Sequence, residues 1–482
     1  MTDFRTEKDT MGDVRVPAHA YWGAQTQRAV DNFPVSGLRM PRAFIAALAH
    51  LKAACAEVNL ALKPGKTGEK GKMSPEASMA IREACDAVTE GKYDEHFPID
   101  VFQTGSGTST NMNANEVIAN LANEKMGGGP RGVYKPLTPN DHVNLGQSSN
   151  DIIPAASHVA ALLAVHRDLK LALERLAASL EKKAAEFDAI IKNGRTHLMD
   201  AMPVRLGQEF GGYAAQVRKG WEQIERASKG LEDLAIGGTA VGTGINSHPE
   251  FSKRVCSLLE KKLGLPVREA RNHFEAQGGR DDLVMASGAL KGLACSLMKI
   301  ANDVRWMGSG PLAGLGELFL PDLQPGSSIM PGKVNPVMSE MITQVAAQVI
   351  GNDAAITIGG QGGNFELNVM IPVMICNFLG SVSILANGAR LFAEKCVDGL
   401  KANAERCGEL LEMNPITATV LNPILGYETV AKLVKEALSR KMSVKKLAVE
   451  KGLITKEQAD KAFDFRRMTE PGETTGGGGG GG

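Results

Sequence analysis

The sequence has no excess of either charge: Lys and Arg total 54, Asp and Glu total 54, and no basic cluster stands out. A phosphate backbone or an anionic membrane surface is held by concentrated positive charge, so neither nucleic acid nor membrane is an expected partner. The N-terminus, Met1-Thr2-Asp3-Phe4-Arg5-Thr6-Glu7-Lys8-Asp9, is charged and lacks the apolar stretch of a secretory signal. No apolar run is expected to approach the roughly 18 residues of a membrane span. The seven cysteines (Cys55, Cys85, Cys256, Cys295, Cys376, Cys396 and Cys407) are odd in number and scattered, without a Cys-x-x-Cys. They read as reduced thiols of a cytoplasmic protein, neither a disulfide frame nor a zinc site. The nine histidines are scattered too, so no metal or cofactor is expected.

What the chain does have is length and helix. At 482 residues it exceeds one ordinary core. Residues 1 to about 35 look irregular. Helices are predicted over 41–62 and 74–90, the second with Ser74 as cap and Pro75 in its first turn. From Ala155 to Asn193 there is neither Gly nor Pro, which predicts one rod of roughly 39 residues, ~58 Å at ~1.5 Å per residue. Further helices are expected over 207–236, 281–307, 336–350 and 366–411, with Pro372 as a kink, and over 427–440 and 443–451. The division read from this pattern is 1–147, a mostly helical N-terminal domain; 148–411, a long-helix bundle; 412–469, a small helical domain; and 470–482, a disordered tail ending in seven Gly.

Chemistry concentrates at helix starts. Pro325-Gly326-Ser327-Ser328-Ile329-Met330-Pro331-Gly332-Lys333-Val334-Asn335-Pro336 joins two hydroxyls, an ammonium and an amide on a loop that opens onto a helix. Asn335 is the expected N-cap and Pro336 the first helical residue. Free N–H groups and the positive end of the helix dipole make this an anion site. It is no nucleotide-binding P-loop: Ser327 stands where that motif needs Gly, and Val334 where it needs Ser or Thr. Two other starts are similar, one at Gly105-Ser106-Gly107-Thr108 and one at Gln147-Ser148-Ser149-Asn150-Asp151, and a fourth candidate is the corner Thr196-His197. The Gly-rich turn from Gly237 to Gly244 is no dinucleotide fingerprint, since Ser247 occupies the third Gly position. Ser149 and His197 lie at opposite ends of the predicted rod. If both serve one small substrate, they come from different subunits.

The sequence Gly-Ser-Ser-Ile-Met-Pro-Gly-Lys-Val-Asn-Pro resembles the signature loop of the fumarase/aspartase superfamily, and the resemblance runs from about Phe4 to about Met468. The motif's long form looks like the fumarase and aspartase branch. So does Gly194-Arg195-Thr196-His197. Gln147-Ser148-Ser149-Asn150-Asp151, Leu234 to Asn246 and Leu320-Pro321-Asp322-Leu323-Gln324-Pro325 look more like class II fumarases than aspartases. The resemblance implies a mainly α, three-domain fold whose long helices form a central bundle shared in a homotetramer, with each active site built from three chains.

It also implies the reversible anti addition of water to fumarate, giving (S)-malate through an aci-carboxylate intermediate, a step of the tricarboxylic acid cycle. By resemblance Ser327 is the base for the C3 proton, His197 handles water, and Glu340 is the partner carboxylate of that histidine. Ser106, Thr108, Ser148, Ser149, Asn150 and Thr196 match substrate-carboxylate donors, flanked by Gly107. Lys333 and Asn335, with Ser328 and Val334 beside them, suit stabilisation of the extra negative charge. Thr138-Pro139-Asn140-Asp141 stands where many relatives have His-Pro-Asn-Asp, an accessory dicarboxylate site, and the missing His puts that site in doubt. Two alternatives stay open: an aspartate ammonia-lyase, and a catalytically silent structural oligomer that keeps the fold.

Overall fold

The computed structural model describes residues 3–472; the glycine run lies outside the described residues. The chain is mainly helical, with only short two-stranded sheets among the described residues. Packing divides it into two compact units. The first comprises 1–171, 220–294 and 345–386; the second comprises 172–219, 295–344 and 387–482. All five boundaries fall inside helices.

In the first unit, the stretch expected to be irregular folds into an antiparallel hairpin, Phe4–Asp9 with Gly12–Pro17, and a helix, Ala24–Asn32. The buried carboxylate of Glu116 organises that helix start, accepting the N–H groups of Gly23, Gln25 and Thr26 and the Thr26 hydroxyl. Long-range pairing of this kind leaves no periodic trace in the sequence. Helix Arg42–Leu62 buries Phe44, Leu48 and Leu51 and packs on Pro75–Thr89, Ser149–Ala164 and Phe251–Leu263. Ser74 caps Pro75–Thr89 as expected, accepting the Ala77 N–H at 3.1 Å. Helix Phe251–Leu263 has no counterpart in the sequence reading.

The predicted rod differs at both ends and in the middle. Helix runs over Ser149–Ala164, a π turn over Val165–Leu169, and helix again over Lys170–Glu186. It begins earlier than Ala155 because a capping box, Ser148 with Asp151, starts it and Pro154 is tolerated near its beginning. It stops at Glu186 because Ile191–Thr196 is needed as a strand against Met199–Arg205. Other helices also depart from expectation. Leu206–Ala227 ends before Ile236, and Val337–Gly360 runs through Gly351. The 366–411 segment is two helices, Ile371–Lys395 and Ala404–Met413. Pro372 sits in the first turn of Ile371–Lys395, where it starts the helix without kinking it.

Among the described residues three helices are long and apolar enough to cross a membrane by length and composition, contrary to the sequence expectation: Arg42–Leu62, Asp281–Met307 and a segment from Ile371. Small, polar or charged residues interrupt each of them: alanines dominate Arg42–Leu62, Lys291 and Lys299 interrupt Asp281–Met307, and Asn377, Gly380, Ser381 and Ser383 interrupt the segment from Ile371. In Arg42–Leu62, 67% of the most apolar window is buried inside the protein. The second unit ends in a small helical cluster whose core includes Leu421, Leu433, Leu447, Ile454 and Phe463. Glu470, the first residue of the expected disordered tail, is among the described residues and pairs with Arg205.

Candidate active site

The first unit brings two of the expected polar helix starts together. Helix Thr108–Lys125 begins after Gly107, and the Ser106 and Thr108 hydroxyls share a hydrogen bond of 2.9 Å. Gly105 is forced to be glycine: a Cβ there would lie 1.7 Å from the Val369 carbonyl oxygen, and Gly105 O accepts the Ile371 N–H. The link to the second start is Asn111, whose Nδ2 donates to Ser149 Oγ (2.9 Å) and Asn144 Oδ1 (3.2 Å). Asn111 Oδ1 is buried without a partner among the described residues. Neither Asn111 nor Asn144 was singled out as a site residue. The run of Asn residues at 111, 113 and 115 inside an otherwise buried helix is the signal that marks them.

The Ser149 start is held rigidly. Ser148 Oγ accepts the Asn150 N–H, and Asn150 Nδ2 donates to Ala240 O at 2.8 Å. Asp151, fully buried, accepts the N–H groups of Ser148 (2.9 Å), Gly237 (3.0 Å) and Thr239 (2.9 Å), which anchors the Gly-rich turn to the helix start. Burial raises the Asp151 carboxyl to about 7, against those three donors. Nearby Lys52 is also fully buried, donates to Gln147 Oε1 at 3.1 Å and is pushed down to about 8 by desolvation. In the Thr138 segment the residues turn on themselves: Thr138 Oγ1 accepts the Asp141 N–H, Thr138 N–H donates to His142 Nδ1, and Asp141 lies 3.7 Å from Lys70. Pro139 begins this π turn and Asn140 is exposed.

The second unit carries the signature loop. Gly326 N–H donates to Lys333 O (2.7 Å) and closes the loop; a Cβ on Gly326 would lie 2.5 Å from that same oxygen. Inside it, Ser327 Oγ accepts two backbone N–H groups, from Met330 at 3.0 Å and Ile329 at 3.2 Å. Asn335 is not the helix cap. Its Nδ2 donates to Gly326 O at 2.8 Å, and the helix starts at Val337 with Pro336 before it. Loop closure takes the amide because Gly326 O would otherwise lack a donor. Ser328, Lys333 and Val334 are exposed, and a cavity of ≈ 550 Å³ borders Met330, Lys333, Val334 and Asn335. Neither the Lys333 ammonium nor the Glu340 carboxylate has a partner among the described residues.

His197 sits with Leu198 in the turn that joins Ile191–Thr196 to Met199–Arg205; Thr196 is paired with Met199. Thr196 and His197 are exposed, and His197 makes no hydrogen bond or ion pair among the described residues. Among the described residues no cluster of three His, Cys, Asp or Glu could hold a metal ion.

The helical fold and its polar helix starts fit a lyase. A family model described as lyase matches residues 12–351, and one described as the fumarase C C-terminus matches residues 418–470. A fumarate hydratase class II from Mycobacterium tuberculosis (strain ATCC 25618 / H37Rv) is 52% identical over 471 residues, 97% of this chain and 96% of the relative. One from Corynebacterium efficiens is 53% identical over 472 residues, again 97% and 96%. The solved structure of a class II fumarase from Schistosoma mansoni superposes with a TM-score of 0.91 at 37% identity, covering 97% of this chain and 99% of that one. This chain belongs to the class II fumarate hydratase family.

Proposed function

We propose that this chain catalyses the reversible hydration of fumarate to (S)-malate, and that Ser327 is the base. The observation that carries the reading is the pair of backbone N–H groups on Ser327 Oγ. A serine hydroxyl is too weak a base to take a carbon-bound proton. Donors already aimed at its oxygen favour the alkoxide, and the Lys333 ammonium on the same loop adds positive charge. In the dehydration direction Ser327 takes the C3 proton of malate. The electron pair moves into the adjacent carboxylate, giving an aci-carboxylate that Lys333, Asn335 and the Val337 helix start stabilise. The C2 hydroxyl then leaves as water with a proton supplied through His197, which Glu340 orients. Ser106, Thr108, Ser148, Ser149, Asn150 and Thr196 hold the two carboxylates.

Each site draws on several subunits of a homotetramer in this reading. Ser149–Glu186 is helix with a π turn, roughly 57 Å of contour at ~1.5 Å per residue. The exposed apolar surfaces of Ile329, Met330, Leu198 and Met199 also call for cover. Subunit association likewise accounts for the three apolar helices without a membrane, and a cytoplasmic setting suits the unpaired cysteines. The 412–469 segment serves as a separate small domain, in keeping with its own apolar core.

The test follows absorbance of the fumarate double bond with malate and with aspartate as substrates. Malate alone should react; reaction of aspartate alone would mean an ammonia-lyase, and no turnover with either would favour the structural oligomer.

A further inference from the structure

The strands Ile191–Thr196 and Met199–Arg205 are joined by His197 and Leu198, both left-handed, with φ of 55° and 63°. Two successive left-handed residues make the type I′ hairpin turn, which ordinarily uses Asn or Gly. A His and a Leu stay in it only where the flanking strands over-determine the conformation. Leu198 is 72% exposed, so packing of its own side chain does not hold the tip.

The strands supply what the tip lacks. The register shifts between Asn193 and Arg195, a bulge that re-aims the strand just before the turn. Arg195 then places its two terminal nitrogens on the two oxygens of Glu317, at 2.9 and 2.8 Å. The Glu317 side chain is 0% exposed and also lies 3.3 Å from the Lys192 ammonium. Asn414 Nδ2 ties the pair of strands together from below, donating to Asn193 Oδ1 (2.9 Å) and Ala201 O (2.8 Å). A buried bidentate pair fixes both the position and the rotation of the strand that carries it.

We infer that the Arg195–Glu317 pair is a positioning device for His197, holding the strand two residues before the imidazole so that the strained turn presents the ring in one orientation. The inference rests on reading His197 as the water-handling group. Arg195 itself touches no reacting atom in this account. Lysine in its place keeps the charge and loses the planar fork, so the substitution separates geometry from electrostatics.

The test is a double-mutant cycle on the full-length protein, read as kcat and KM for fumarate hydration beside the unfolding temperature. Arg195→Lys should lower kcat about tenfold or more while KM stays within about threefold. His197→Asn, chosen because Asn accepts the left-handed conformation, removes the group being positioned. In that background Arg195→Lys should change the residual kcat less than about twofold, whereas a purely structural arginine would lower it by the same factor in both. Equal factors in both backgrounds, or an Arg195→Lys enzyme with parental kcat, would overturn the inference. Undiminished activity of His197→Asn alone would instead remove the reading of the site on which it rests.

If Arg195→Lys does not fold, Leu198→Gly serves in its place. It relieves the left-handed strain at an exposed position, so the unfolding temperature should hold or rise while kcat falls about threefold or more as the turn loosens. An unchanged kcat there also overturns the inference.

Discussion

The two compact units carry their polar groups in opposite states. In the first, the helix starts are finished within the unit: Ser106 bonds Thr108, Asn111 bonds Ser149, and Asp151 gathers three backbone N–H groups. In the second, Ile329 is 83% exposed, His197 stands on a strained tip, and Lys333 has no partner among the described residues. Groups that only have to grip an anion can be fixed in advance by neighbours. In the proposed mechanism, the groups that act on it sit on open loops, where their hydrogen-bonding capacity remains available to substrate. The contrast is between a pre-organised binding surface and a delivered reactive one.

Removing the reactive hydroxyl should produce the largest change. Ser327→Ala is expected to lower kcat by roughly a thousandfold or more, with the unfolding temperature retained, because among the described residues the Ser327 hydroxyl bonds only its own loop. A variant that keeps a tenth of parental kcat would end the contrast as drawn. Next comes Gly105→Ala in the first unit, where the added methyl meets the Val369 carbonyl. Denaturant titration should register a loss of ~3 kcal/mol or more. A near-neutral result would show that the helix start is less tightly fixed than its packing implies.

A pH experiment sharpens the same point. His158 is fully buried in the first unit, its Nδ1 2.9 Å from Asp233 O, and burial pushes its imidazole down to about 3. The unfolded chain takes up that proton near pH 6.5 and the folded chain only near 3. Stability is therefore intact above pH 6.5 and falls as pH drops through this window, by ~5 kcal/mol at most. His158→Leu should flatten that acid limb in urea midpoints taken from pH 7 to 4; an identical limb in the variant would assign it to other groups. The smallest effect is expected at Asn111→Ala. Loss of its bond to Ser149 should raise KM about tenfold with kcat changed little, and Michaelis curves on fumarate distinguish this from the pattern at Ser327.

Much of the candidate site was legible because its residues lie in short contiguous motifs. The Ser327 loop and the Ser106, Ser149 and His197 segments each announce a polar turn next to a helix or strand end. Asn111 and Asn144 were not legible as a link, since their pairing spans 33 positions and depends on how a turn packs against a helix. Asn335 was misassigned as a cap because local preference ignores Gly326, nine residues away, whose carbonyl claims the amide. The N-terminal hairpin was missed for a similar reason: Phe4–Asp9 and Gly12–Pro17 are charged and short, and pairing with each other gives them their form.

By itself the sequence determined the helical class, the family and the identity of the polar groups, because helix periodicity and contiguous motifs are local properties of the chain. Tertiary structure decided where the long helix stops, which carbonyls and N–H groups each polar side chain serves, and that the Arg195–Glu317 pair lies under the His197 turn. Those outcomes depend on partners as far as 221 positions away, as at Asn414 and Asn193. Such partners meet only when burial leaves polar groups no water to bond, and the fold must then supply the missing half of each hydrogen bond.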